Sequence, residues 1–119
     1  MNLDKRNILE VYYHPEGRVD KQTLAYAKSL SNKVQATTYG TDNFTTTIWK
    51  YILKKLNKTP KELLNKADPF YQQNIRGKEF DSEGWLHVLM KYPFLIRGPI
   101  VVWKNKARLV ETPTDIMKM

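Results

Sequence analysis

Apolar positions along this chain alternate between two rhythms, one with period two and one with helical spacing. Ile8-Leu-Glu-Val-Tyr-Tyr13 is a compact β-branched and aromatic run closed by the turn cluster His14-Pro-Glu-Gly17, which predicts a first strand. From about Asp20 the spacing becomes helical, with Leu24, Ala27 and Leu30 on one face and Lys21, Lys28 and Ser29 elsewhere. Asp20 is the expected N-cap, because its carboxylate can accept from first-turn amides. Val34-Gln-Ala-Thr-Thr-Tyr39 then reads as a second strand, closed by Gly40. This β-α-β opening favours a parallel pair with a right-handed crossover.

The middle of the chain reads as helical. Phe44, Ile48, Ile52 and Leu56 recur every fourth residue, while Lys50, Lys54 and Lys58 line another face. Pro60-Lys-Glu-Leu-Leu-Asn-Lys-Ala67 is a short helix with Thr59 as its cap, and Asp68 to Ile75 holds another helical turn. Asp81-Ser-Glu opens a helix carrying Trp85, Leu86, Leu89 and Met90, which must stop before Pro93. Pro99-Ile-Val-Val-Trp103, the turn Lys104-Asn-Lys106 and Ala107-Arg-Leu-Val110 form a predicted hairpin, with a last short helix starting at Thr112-Pro113. The strands are thus placed at 8–13, 34–39, 99–103 and 107–110. The order predicts an α/β chain with a thioredoxin-like fold: a four-stranded mixed sheet with a helical insertion between the βαβ and ββα parts. Residues 1–119 are expected to form one domain, since this length closes one core and leaves little room for a second.

Composition narrows the function classes. Hydrophobic residues are 41% and charged residues 27% of the chain, as in ordinary globular proteins rather than disordered ones. No apolar run approaches the roughly 20 residues of a membrane span, and Met1 to Val11 lacks the apolar stretch of a signal peptide, so a cytoplasmic location and no membrane partner are expected. The formal net charge of +8 attracts anions, whether phosphate, nucleic acid or an acidic protein surface. The simpler reading is a lysine-rich soluble surface. The chain contains no cysteine, which excludes disulfides and thiolate metal sites.

Three segments carry a family likeness. They are Val11-Tyr-Tyr-His14, Lys61-Glu-Leu-Leu-Asn-Lys-Ala-Asp-Pro-Phe-Tyr71, and the most specific one, Leu86-His-Val-Leu-Met-Lys-Tyr-Pro-Phe-Leu-Ile-Arg-Gly-Pro-Ile-Val-Val102. In that order the chain resembles the glutaredoxin-linked arsenate reductases, a thioredoxin-fold family with a branch of transcription regulators that bind RNA polymerase. The resemblance implies a nucleophilic cysteine about five residues beyond the tyrosine of the first strand. Here that position is Arg18, or Gly17 if the loop is one residue shorter, and neither can form a thiolate. It also implies arginines that bind the oxyanion. Asn65 follows the Leu-Leu pair, with Lys66 next. Arg97 is displaced to precede Gly98-Pro99, and Glu111 stands near the place of the arginine after the hairpin. The family's proline at this strand start is usually cis, so a cis Gly98–Pro99 bond is expected close to the 14–18 loop. It would present peptide groups to an extended ligand.

The chain is therefore expected to be a catalytically silent, arsenate reductase-like protein, a pseudoenzyme that acts as a binding or regulatory module without a cofactor. His14, Gly17, Arg18, Arg97, Gly98 and Pro99 are the expected vestigial site for an anion or peptide. A small anion, a glutathione-like peptide or a protein is the expected partner. Two alternatives stand beside this reading: a thiol-dependent oxidoreductase that borrows an external thiol, and a nucleic-acid or transcription-associated factor. The second would use Lys50, Lys54, Lys55, Lys58 and Lys61 interleaved with Trp49 and Tyr51, because rings stack on bases while lysines follow phosphates. An ordinary amphipathic helix, with both rings partly in the core, accounts for the same pattern. His14 and His87 are too few and too far apart for a metal centre. Asp81 and Glu83 are helix-start residues rather than an acid/base pair.

Overall fold

A computed structural model describes residues 8–41 and 44–119; part of the N-terminal segment read against a signal peptide, residues 1–7, lies outside them. Strand β1 (Leu9–Tyr13) leads into helix α1 (Arg18–Leu30), strand β2 (Val34–Thr38) and helix α2 (Thr46–Leu56). Helices α3 (Pro69–Asn74) and α4 (Ser82–Lys91) follow, then strands β3 (Ile100–Trp103) and β4 (Lys106–Leu109). Short 3₁₀ turns at Pro60–Leu63, Pro93–Leu95 and Pro113–Lys118 each begin with a proline, whose fixed φ suits a first turn.

The four strands form one mixed sheet in the order β2-β1-β3-β4. β1 runs parallel to β2 and antiparallel to β3, and β3 runs antiparallel to β4. All four strands lie where the apolar runs place them, within a residue or so. Lys104 and Asn105 both adopt positive φ (52° and 62°), the geometry of a two-residue hairpin turn that matches strand twist.

Strand alternation divides the core into two layers. Leu9, Val11 and Val101 face one side, where they pack with Ala27 of α1, Val110 and Ile116. Tyr12, Ile100, Val102 and Leu109 face the other, against Trp49, Ile52, Leu53, Leu86 and Leu89. Trp49 is 1% exposed, so its ring is core and cannot stack on a ligand. Phe44 continues the apolar stripe of α2 but precedes the helix, whose cap is Thr45, accepting from the Ile48 N–H at 3.2 Å. Among the described residues no helix is long and apolar enough to cross a membrane.

One helix start differs from the sequence expectation. Gly17, not Asp20, is the N-cap of α1, and Asp20 sits in the first turn. Its side chain turns back toward the preceding loop instead of capping its own helix.

Candidate functional site

The site lies where β1 ends and the loop 14–17 enters α1. The His14 carbonyl accepts from the Gly17 N–H at 3.1 Å, which closes the loop as a turn. Asp20 Oδ2 accepts the His14 backbone N–H at 2.7 Å. Asp20 is 5% exposed, and its carboxylate fills the space beside Gly17: a Cβ there would lie 2.3 Å from Asp20 Oδ1. The loop needs glycine at 17 because a carboxylate already occupies that side of the backbone.

Two side chains tie this loop to the segment before β3. His14 Nε2 lies 2.8 Å from the Ile96 carbonyl, and since a carbonyl only accepts, the proton is on Nε2. The His14 ring meets Tyr39 edge-on at 4.7 Å, and the Tyr39 hydroxyl donates to the Gly98 carbonyl at 2.9 Å. Burial, and then the neighbouring Asp20 charge, push the Tyr39 phenol well above its ordinary range, so it stays a neutral donor. Tyr39 stacks on Trp49 at 6.0 Å, which fixes the ring.

The segment entering β3 is engaged by its own chain. Asn65 N–H donates to the Leu95 carbonyl at 2.7 Å and Arg97 N–H to the Leu63 carbonyl at 2.8 Å, around an antiparallel Leu64–Ile96 bridge. The expected cis Gly98–Pro99 bond is trans: no described peptide bond is cis. The trans form places the Pro99 carbonyl 2.8 Å from the Val110 N–H, which carries hairpin pairing one step beyond the strands, and trans is the intrinsically favoured isomer. A Cβ at Gly98 would lie 2.7 Å from the Val110 carbonyl oxygen, so close backbone approach explains glycine there.

The expected site residues therefore separate into two groups. His14 meets the 96–98 segment directly, and Gly17 supports the same loop. Arg97 turns to other partners: its Nε donates to the Glu62 carbonyl at 3.1 Å and its Nη1 lies 3.6 Å from Glu111 Oε1. Arg18 is exposed at the start of α1, and the nearby Glu16 pairs with Lys21 at 4.0 Å. Lys58, Glu62, Leu64, Lys66 and Arg97 line a shallow groove of about 380 Å³. Among the described residues no group of His, Asp and Glu could hold a metal ion.

The lysines of α2 and its surroundings are largely engaged as well. Lys50 pairs with Glu83 at 3.2 Å, Lys58 with Glu62 at 4.0 Å, and Lys55 with the Asn105 side chain. Lys61 lies over the Trp85 ring at 5.0 Å.

Known structures share this architecture. A protein of Yersinia pestis assigned as an arsenate reductase superposes with a TM-score of 0.83 at 22% identity, over 93% of this chain and 99% of its own. An arsenate reductase of Vibrio cholerae gives 0.78 at 19% identity, over 94% and 98%. The fold is that of arsenate reductases. An arsenate reductase-family related protein of Bacteroides fragilis gives 0.72 at 14% identity, over 93% and 97%. No family model matches the sequence, and no curated protein matches it.

Within this arsenate reductase-like fold, two of the departures from the resemblance meet each other. The displaced Arg97 pairs with Glu111, the residue near the place of an expected arginine. Asp20 sets a buried negative charge against Gly17, one of the two candidate positions for the nucleophile. Sequence reading missed this role because an aspartate in the first turn of a helix has the ordinary signature of a cap.

Proposed function

We propose that the chain is a catalytically silent, arsenate reductase-like binding module. It would engage a carboxylate-bearing protein segment at the groove lined by Lys58, Glu62, Lys66 and Arg97, the last of which follows Ile96, the residue whose carbonyl His14 contacts. The observation that carries this reading is the Asp20 carboxylate packed against Gly17 and bonded to the His14 N–H. A thiolate at this position would face a like charge. An oxyanion about 4 Å from that carboxylate would be repelled by about 4 kcal/mol at an effective dielectric of 20. Neither Gly17 nor Arg18 supplies a nucleophile in any case.

Several features favour a protein segment over a free oxyanion. The groove is open and shallow, and three cations and the Glu62 carboxylate line it. Glu62 and Glu111 temper the local charge without cancelling it, and the whole chain carries +8. Such charge steers an acidic segment toward its site and weakens with salt.

The test is a titration of a Glu-containing peptide against the full chain at several salt concentrations, beside inorganic phosphate. The reading expects saturable peptide binding that weakens with salt and falls in Lys66→Ala and Arg97→Ala. Phosphate binding tighter than the peptide, or peptide binding unchanged in both variants, would overturn it.

A further inference from the structure

A second polar cluster lies on the α2 side of the sheet and shares no residue with the site above. Glu10 is the second residue of β1, between Gln35 of β2 and Val102 of β3. Its Oε1 accepts the Tyr12 phenol at 2.9 Å, and its Oε2 accepts the Tyr51 phenol from α2 at 3.0 Å. A carboxylate at the margin of a core layer is unfavourable unless bonded, and these two phenols supply the bonds. Each carboxylate oxygen has a second lone pair, so the group can still accept from a ligand.

Next to Glu10 opens a cleft of about 310 Å³. Glu10, Gln35 and Thr37 give it polar groups, Ile8, Phe44 and Ile48 give it apolar ones, and the Tyr12 ring lies between strand and Phe44, 5.5 Å from the latter. Glu10 is the only charged side chain among the described residues that line it. A smaller neighbouring recess of about 180 Å³ also includes Glu10, with Lys55 and Lys104 among its lining residues. Lys55 is engaged by Asn105, and Lys104 sits 4.2 Å from the Trp103 ring centroid. Among the described residues neither lysine forms an ion pair with Glu10. Burial and then the Glu10 charge raise both phenols, Tyr51 to about 12 and Tyr12 further, so both stay protonated donors at neutral pH.

We propose that this cleft binds a small alkylammonium ion. The ammonium N–H groups would donate to Glu10 and to the Gln35 and Thr37 side-chain oxygens, and the alkyl chain would lie along Ile8, Phe44 and Ile48. A cleft whose lining charge is negative, on a chain of net charge +8, selects a cation through local contacts rather than through the overall field. The rings of Tyr12 and Phe44 add attraction for positive charge. A primary ammonium fits better than a quaternary one, because the polar residues offer acceptors that need N–H donors.

The test uses the full chain, labelled for amide NMR and titrated with n-butylammonium, n-butanol and butyrate. The proposal expects saturable shifts at the amides of Glu10, Gln35 and Thr37 with n-butylammonium, at least about tenfold tighter than with n-butanol, since hydrogen bonds between charged groups are stronger than those of a neutral hydroxyl. Butyrate should not bind. Glu10→Gln keeps an acceptor for a phenol and should weaken n-butylammonium by about tenfold or more, while Tyr51→Phe, which frees an acceptor on Glu10, should not weaken it. No saturable shift at those amides, equal binding of n-butanol, or unchanged binding in Glu10→Gln would overturn the proposal. If Glu10→Gln does not fold, the comparison of n-butylammonium with n-butanol on the unaltered chain decides.

Discussion

Asp20 and Gly17 are packed so closely that the glycine has no room for a side chain: a Cβ at 17 would stand 2.3 Å from Asp20 Oδ1 and 2.7 Å from its Cγ. The same carboxylate holds the His14 N–H, so the loop conformation and the buried charge depend on each other.

Substitutions at these two positions should therefore be coupled. Gly17→Ala is expected to destabilise by about 1–3 kcal/mol through overpacking, and Asp20→Ala by about 1–3 kcal/mol through the orphaned His14 amide. In the double variant the clash is gone, so its loss should fall short of the sum by about 1 kcal/mol or more. Denaturant midpoints of the four proteins measure this, and simple additivity would contradict the packing described.

Gly98→Ala tests the neighbouring approach. Its Cβ would meet the Val110 carbonyl oxygen at 2.7 Å, a backbone atom inside the hairpin that cannot swing aside. A loss of about 1–3 kcal/mol is expected, as for other overpacked positions, read as a lower denaturant midpoint. An unchanged midpoint would mean that the two segments are not in such close contact.

Much of this arrangement was legible in the sequence, and the reasons differ by element. The four strands were readable because β-branched and aromatic runs such as Ile100-Val-Val102 are bounded by turn residues at both ends. The order of elements followed from the βαβ opening, which leaves few topologies. Asp20 was harder, since cap and loop-anchor use the same residue type at nearly the same position. Arg97 was placed at an anion site by its motif, but its actual partners, Glu62 and Glu111, are 35 and 14 residues away, and one sequence alone does not reveal such pairings. Glu10 drew no notice because a single polar residue in a strand ordinarily faces solvent.

The pairing of Arg97 with Glu111 should be worth little to stability, because both groups are substantially exposed. Its expected effect is on charge. Glu111→Arg would place a second guanidinium where the carboxylate now neutralises the first, and sulfate should then raise the melting temperature more than it does for the unaltered chain. Equal sulfate responses in the two proteins would show that Glu111 does not govern anion affinity here.

Alkaline pH should expose the raised phenols. Tyr12, Tyr39 and Tyr51 hold their protons more tightly than a free phenol with an ordinary value near 10, through burial first in each case. A raised folded value means that the folded state binds more protons, so their contribution is intact below pH 10 and declines as pH rises further, Tyr51 titrating near 12. A late rise in phenolate absorbance that coincides with loss of far-ultraviolet circular dichroism is expected. In Tyr51→Phe that late phase should be smaller. A single early phase with the fold intact would contradict the burial of these rings.

Catalytic silence is tested most directly by coupled turnover. The full chain is mixed with arsenate, glutathione and glutaredoxin, and arsenite formation is compared with a no-protein background. The account predicts no arsenite above that background, because neither Gly17 nor Arg18 can carry the covalent sulfur adduct and Asp20 guards the loop with like charge. Arsenite formed above background, and abolished by Arg18→Ala, would contradict it.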